Sequence, residues 1–256
     1  MNDATGLRRG IRVLEALASD EALPGGLGVL RIAELVGHDK SQVSRTLKTL
    51  AEYGLVDRDA ETRAYRLGWG LFALAGRAGD VRLLTAAEPV VRELAQALGE
   101  RVHLTVLRGV EVLTILSHGT PRAIEATGWA GRTVPAYCTS AGYVLLLETD
   151  VVAALAGVEL ARLGPNTPRT PAEVAARVAA ARERGYAIAD EDFEPGLVAV
   201  AAPVRDFRGR IAAGLNVSAP KFRLDPQLAE TGAAVARAAA LLSERLGSPR
   251  SEKLFA

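Results

Sequence analysis

The chain has 256 residues, 49% hydrophobic and 24% charged, with a formal net charge of +1. This composition excludes a disordered chain and a basic polyelectrolyte, so any surface for nucleic acid must come from local placement of charge. The single cysteine, Cys138, excludes an internal disulfide, and no run approaches the roughly 18 apolar residues of a membrane span. The N-terminus MNDATGLRRG has no apolar run after its charges, so it is not read as a signal peptide; a cytoplasmic protein with no membrane partner is expected.

In chain order, Leu7 to Ala18 reads as a helix whose apolar face is Leu7, Ile11, Leu14 and Leu17. The breakers in EALPGGLG follow, then a short helix from Leu30 to Val36 that stops at Gly37. Asp39 is placed to cap a third helix, with Gln42 at the capping-box position and Val43, Leu47, Leu50 and Ala51 as its buried side. That helix stops near Gly54. LVDRD and RAYRL form a hairpin around AET, and WGLFALAGRAG reads as an apolar-faced helix from Trp69 to Gly79.

The remainder mixes helices and strands. Ala86 to Leu98 is helical, RVHLTVLRG and VEVLTILSHG are strands split by Gly109, and AIEATGW reads as a further strand. Helices are expected over Thr139 to Glu148, Val151 to Ala156 and Ala172 to Arg184. GYAIADED, LVAVAAPV and IAAGLNVSAP are strands, the last two joined by the turn RDFRGR. One long helix is expected from Asp225 to Leu246, and the tail GSPRSEKLFA reads as disordered. Hairpins with flanking helices give an α+β fold around a mostly antiparallel sheet. The domain reading is 1–68, a linker helix at 69–79, a second domain at 80–246, and a tail at 247–256.

Helix, helix, capped helix and hairpin, in that order, describe a winged helix-turn-helix. Such a module needs a helix with an apolar back and short polar and cationic residues on its front, to reach base edges and phosphates. Lys40, Ser41, Gln42, Ser44, Arg45 and Lys48 supply that front, and between Ser41 and Ala51 there are two cations and no acid. Gln42 and Arg45 are the candidates for base edges; Ser41, Ser44 and Lys48 for the backbone. Arg58, Arg63 and Arg66 of the hairpin are candidates for phosphates or the minor groove. The competing reading is a solvated face, with the wing arginines paired to Asp57, Asp59 and Glu61.

The chain resembles the IclR family of bacterial transcriptional regulators from about Gly6 to Leu246. The N-terminal resemblance rests on LRIAELVGHDKSQVSRTLKTLAEYGLVDRD followed by YRLGWGLFALA. The C-terminal one rests on GRTVPAYCTSAGYVLLLE and RERGYAIADEDFEPGLVAVAAPVRDFRGRIAAGLNVSAP. It implies a winged helix-turn-helix domain, a linker helix and a GAF-like effector domain. It further implies dimers, often paired into tetramers, that bind roughly palindromic double-stranded DNA and respond to small organic or aromatic acids.

The resemblance also implies an effector site. Its first part is Tyr137, Cys138, Thr139, Ser140, Ala141 and Gly142, a polar turn whose hydroxyls and backbone N–H groups could hold a carboxylate. Its second part is Asp190 and Glu191, and its third is Asn216 and Ser218, on one face of a strand. Ala199 stands at a position that is polar in parts of the family, and Tyr143 stands where lysine is usual. Both departures point to a less polar, aromatic effector, with Trp129, Tyr137 and Phe193 as ring contacts.

No cofactor or metal site is read from the sequence, because three histidines and one cysteine at wide spacing make no zinc motif. The alternatives are an architectural DNA binder without ligand control and, more remotely, a thiol enzyme using Cys138 with His103 or His118. The large second domain weighs against the first, and the want of any orienting group against the second.

Overall fold

The computed structural model describes residues 3–23, 25–75, 81–119 and 129–248, which divide into two compact units, one up to Val81 and one from Arg82. The strand expected over AIEATGW lies outside the described residues except for Trp129, as do residues 76–79 of the expected linker helix and most of the tail.

The first unit runs α1 (Asp3–Leu17), α2 (Val29–Val36), α3 (Lys40–Glu52), β1 (Val56–Arg58), β2 (Tyr65–Leu67) and α4 (Trp69–Ala75). β1 and β2 pair antiparallel, with Val56 opposite Leu67 and Asp57 opposite Arg66. Leu27 exchanges backbone hydrogen bonds with Tyr65 and adds a third short rung. Val13, Leu17, Ile32, Val36, Val43, Leu47, Val56 and Tyr65 form one core. The face expected for α1 is corrected: Val13 is fully buried, whereas Leu7 and Ile11 are 70% and 48% exposed. Ala51 of α3 is likewise exposed, and Leu50 only half-buried.

The second unit begins with α5 (Val81–Leu98), which starts before the expected Ala86 and runs through Pro89. β3 (Arg101–Arg108) and β4 (Glu111–His118) follow as a hairpin, then β5 (Thr133–Pro135), a three-residue strand that was not expected. A 3-10 turn at Ala136–Cys138 leads into α6 (Ser140–Leu145), α7 (Val151–Ala154) and α8 (Pro171–Arg184). β6 (Ala187–Asp190), β7 (Leu197–Arg205) and β8 (Ile211–Pro220) complete the sheet. The single long helix expected from Asp225 is broken: α9 (Lys221–Leu224) and a 3-10 turn holding Pro226 precede α10 (Leu228–Arg245). Proline has no N–H to give, so it sits at the opening of that turn and not within a long helix.

The six strands lie in the order β5-β4-β3-β8-β7-β6, antiparallel at every pairing. One face packs on α5 and α10: Val102, Leu104, Leu215 and Val217 meet Val90, Val91, Leu94, Val235 and Leu242. The other carries α6 and α8, with Tyr143, Val144, Val174 and Val178 in its cluster. Both faces of the central strands are therefore buried, and successive residues along β3 and β8 point to opposite sides.

Candidate functional site

α3 is set by its N-terminus. Asp39 is extended, and its carboxylate accepts from the Gln42 N–H at 3.0 Å and the Ser41 hydroxyl at 2.6 Å. Those bonds hold the carboxyl below its usual range. At the other end Gly54 adopts φ +66°, and Leu55 N–H returns to the Leu50 carbonyl, which closes the helix. Val43 and Leu47 go to the core, leaving Lys40, Ser41, Ser44, Arg45 and Lys48 exposed on one surface. Arg45 lies along the helix, its Nε donating to the Ser41 carbonyl at 3.3 Å.

Gln42 departs from expectation. It is half-buried, and its amide oxygen accepts from Arg9 of α1 at 3.2 Å, while Arg9 also bonds the Thr46 hydroxyl at 2.9 Å. The reciprocal half of a capping box is thus replaced by a tie between helices. Arg58, Arg63 and Arg66 are exposed on the hairpin. Asp59 does not pair with them: its carboxylate accepts from the N–H groups of Glu61 and Thr62 and the Thr62 hydroxyl, building the turn. Arg58 instead lies over the Tyr65 ring at 5.3 Å.

In the second unit a cavity of about 60 Å³ lies on the α6 side of the sheet. β3 gives it His103 and Thr105, β4 Val112 and Thr114, β6 and β7 Ala189, Leu197 and Ala199, and β8 Asn216 and Ser218. Thr139, Ser140 and Ala141 close it from the start of α6, with Trp129, Val134 and Phe193 at its sides. Of the residues expected in an effector site, Thr139, Ser140, Ala141, Ala199, Asn216 and Ser218 line this space, as do Trp129 and Phe193 of the expected ring contacts.

The others do not. Tyr137 is buried and donates its hydroxyl to the Ala161 carbonyl at 3.0 Å, and Cys138 is fully buried beside the Pro135 carbonyl. Gly142 packs so closely on the Ala136 carbonyl that a Cβ there would lie 1.9 Å from its oxygen. Asp190 and Glu191 are both salt-bridged to Lys221, at 2.7 and 3.0 Å, and Glu191 also accepts from Gly196 N–H at 2.7 Å. These acids tie the β6–β7 turn to α9. The acid that turns inward is Asp192, which accepts from the Tyr143 hydroxyl at 2.6 Å with Arg177 at 3.6 Å. Tyr143 therefore answers a buried carboxylate and does not line the cavity.

The cavity's polar atoms are its main chemical signal. Among the described residues four buried side-chain polar atoms have no hydrogen-bond partner, and three of them, His103 Nδ1, Ser140 Oγ and Asn216 Oδ1, belong to its lining. Leaving a buried polar atom unpaired costs on the order of 1–3 kcal/mol, so their convergence marks a place for a polar guest. Thr139, by contrast, is used: its hydroxyl donates to the Pro135 carbonyl and accepts from Gly142 N–H as the cap of α6.

Burial lowers the His103 pKa to about 4, with Arg101 adding to the effect, so the ring is neutral near pH 7. His103, Thr105 and Thr114 were not expected here. The available signal was polar residues alternating with Val102, Leu104 and Leu113 in strands buried on both faces.

The thiol reading gains no support, since the Cys138 thiol meets the Pro135 carbonyl and no histidine is bonded to it among the described residues. Burial pushes the Cys138 thiol up to about 12, His103 faces Ser218, and His118 is bonded to Glu88 at 2.8 Å. Among the described residues no group of His, Cys, Asp and Glu could hold a metal, and no helix is long and apolar enough to cross a membrane.

A capped, cation-bearing third helix beside a two-stranded wing, joined in one chain to an α+β domain whose mostly apolar cavity holds a few unpaired polar atoms, defines a DNA-binding protein of the winged helix-turn-helix class. The IclR helix-turn-helix domain matches residues 6–60, and the bacterial transcriptional regulator IclR C-terminal domain matches residues 77–244. The chain belongs to the IclR family of transcriptional regulators.

It is 32% identical over 249 residues to the HTH-type transcriptional regulator BhcR of Paracoccus denitrificans, covering 94% of this chain and 88% of that one. It is 30% identical over 248 residues to the HTH-type transcriptional regulator XynR of Escherichia coli, covering 95% and 97%. Among solved structures, an IclR homolog from Microbacterium hydrocarbonoxydans complexed with 4-hydroxybenzoate is similar with a TM-score of 0.82 at 25% identity, covering 94% of this chain and 98% of that one. The Thermotoga maritima IclR is similar with a TM-score of 0.76 at 25% identity, covering 95% and 99%.

Proposed function

We propose that the protein binds a roughly palindromic operator as a homodimer, which can pair into a tetramer, and that a small organic effector in the second-domain cavity sets that binding. The observation that carries this reading is the convergence of three buried, unpaired polar atoms on one cavity in a chain that also carries the winged helix-turn-helix. An aromatic acid suits the lining, where Trp129 and Phe193 stand beside those atoms, and the related structure from Microbacterium holds 4-hydroxybenzoate.

On the DNA side, Arg45 reads a base edge, with guanine the geometric match for its fork. Ser41, Ser44, Lys40, Lys48 and the wing residues Arg58, Arg63 and Arg66 fix the phosphate backbone. Gln42 stays with Arg9, which moves base reading toward Arg45 and Ser44. The exposed Leu7 and Ile11 of α1 offer an apolar stripe to a second protomer. The effector acts by binding the DNA-competent and incompetent states with different affinity, the only way a ligand can shift such an equilibrium.

Selection of bound duplexes from a random-sequence library tests the DNA half. The expected product is an inverted repeat with half-sites about one helical turn, roughly 34 Å, apart. Titrating that duplex complex with 4-hydroxybenzoate and related acids, read by fluorescence anisotropy, tests the effector half. Weak, salt-sensitive binding with no enriched repeat overturns the operator reading.

A further inference from the structure

We infer that His103 and Asn216 form a pair that reads a hydroxyl group on the effector, making His103 a specificity-determining residue of the cavity. The inference rests on the effector reading above and narrows the ligand to a hydroxylated ring.

His103 on β3 and Asn216 on β8 are direct partners across the two strands. Side chains so paired start from Cβ atoms about 5 Å apart on one face of the sheet. Both are buried, at 3% and 8% exposure, and each carries an unpaired atom in the cavity lining, Nδ1 and Oδ1 respectively.

An amide oxygen only accepts, so whatever satisfies Asn216 Oδ1 must bring a donor. The imidazole is neutral, and its Nε2 faces the Ser218 hydroxyl at 3.4 Å. A neutral ring has one donor and one acceptor nitrogen. In the tautomer where Ser218 donates to Nε2, Nδ1 carries the hydrogen, and the pair we infer uses that tautomer.

A single hydroxyl then answers both residues. Its O–H donates to Asn216 Oδ1, and its oxygen accepts from His103 Nδ1–H. A carboxylate at the same place only accepts, and it would set its negative oxygen against the amide oxygen. A methyl ether has no hydrogen to give.

The Trp129 ring lies 5.4 Å from the His103 ring, tilted by 56°, and puts an aromatic wall beside the pair. That wall suits the ring bearing the hydroxyl. Ser140 Oγ, the third unpaired atom, stands on α6 and not on the sheet, so it is placed for the ligand's other polar end.

The test is calorimetric titration of the full chain with 4-hydroxybenzoate, 4-methoxybenzoate, 4-methylbenzoate and benzoate, repeated on His103→Phe and Asn216→Ala. The hydroxylated acid is expected to bind at least about ten-fold tighter than the other three, because a site built around a hydroxyl leaves its own groups unpaired with an analogue lacking one. In both variants that preference is expected to fall to within about two-fold, with the unhydroxylated acids changed little. Equal binding of all four acids by the natural chain, or a preference that survives in His103→Phe, overturns the pair while leaving the cavity as an effector site. Should His103→Phe not fold, the four-acid series on the natural chain and Asn216→Ala still decide. No binding of any of the four overturns the pair together with the aromatic-acid reading on which it rests.

Discussion

α3 and α6 open in the same way and end in opposite surroundings. Each follows an extended residue whose side-chain oxygen accepts from the N–H three residues on: Asp39 from Gln42 at 3.0 Å, Thr139 from Gly142 at 3.1 Å. In α3 only Val43 and Leu47 are fully buried, and the polar front faces solvent. In α6 every residue from Ser140 to Leu145 is buried. Water answers an exposed serine at no cost, so Ser44 by itself says little. Ser140 has no water-facing side and no protein partner among the described residues, so its hydroxyl says more about a ligand. The same capping signal thus opens an exposed, cation-bearing face in one domain and the wall of a cavity in the other.

The sharpest way to break this contrast is Gly142→Ala. The added Cβ would meet a backbone oxygen at 1.9 Å, and backbone cannot swing aside as a side chain can. A loss of about 3 kcal/mol or more in the second domain is expected. Calorimetry should show its transition fall while the first domain's holds; a loss under about 1 kcal/mol would mean that α6 is loosely seated.

His103 should give a pH signature confined to the second domain. Its folded pKa, about 4, lies below the ordinary 6.5, so the unfolded chain takes up the proton first as pH falls. The contribution is complete above pH 6.5 and is lost as pH falls toward 4, by about 3 kcal/mol in all. Denaturant titrations should show that loss in the natural chain and its absence in His103→Gln. Parallel curves would mean that the ring is already wet.

On α3 the expected effects are smaller and concern binding. Arg45→Ala should cost about 1–3 kcal/mol at the preferred base and relax selectivity there. Lys48→Ala should weaken all sequences alike and reduce the salt slope by about 1. Equal, sequence-blind losses in both variants would remove Arg45 from base reading. The smallest effect is expected from Asp39→Ala, a modest drop in the first domain's melting temperature that leaves effector affinity untouched, since its cap bonds are exposed.

The features readable from the sequence are those that short-range chemistry controls. Asp39 before an amphipathic run, Gly54 in the left-handed region and the RDFRGR turn between two strands each act over a few residues, and each gave the element expected. Asn216 and Ser218 also line the cavity together, as the two-residue period of a strand requires of residues on one face.

What needed the tertiary structure was every choice between equivalent local options. α1 has apolar residues on two sides, and contact with α2 and α3 buries Val13 and leaves Leu7 and Ile11 outside. Asp190, Glu191 and Asp192 are three acids in a row. Lys221, thirty or more positions on, holds two of them at the surface, while Tyr143 draws the third inside. His103 became a cavity residue only when β8 was laid beside β3 and α6 above it. Local sequence fixes which conformations a segment prefers; which of its faces loses water depends on partners far away in the chain, and burial is what turns a polar side chain into a site.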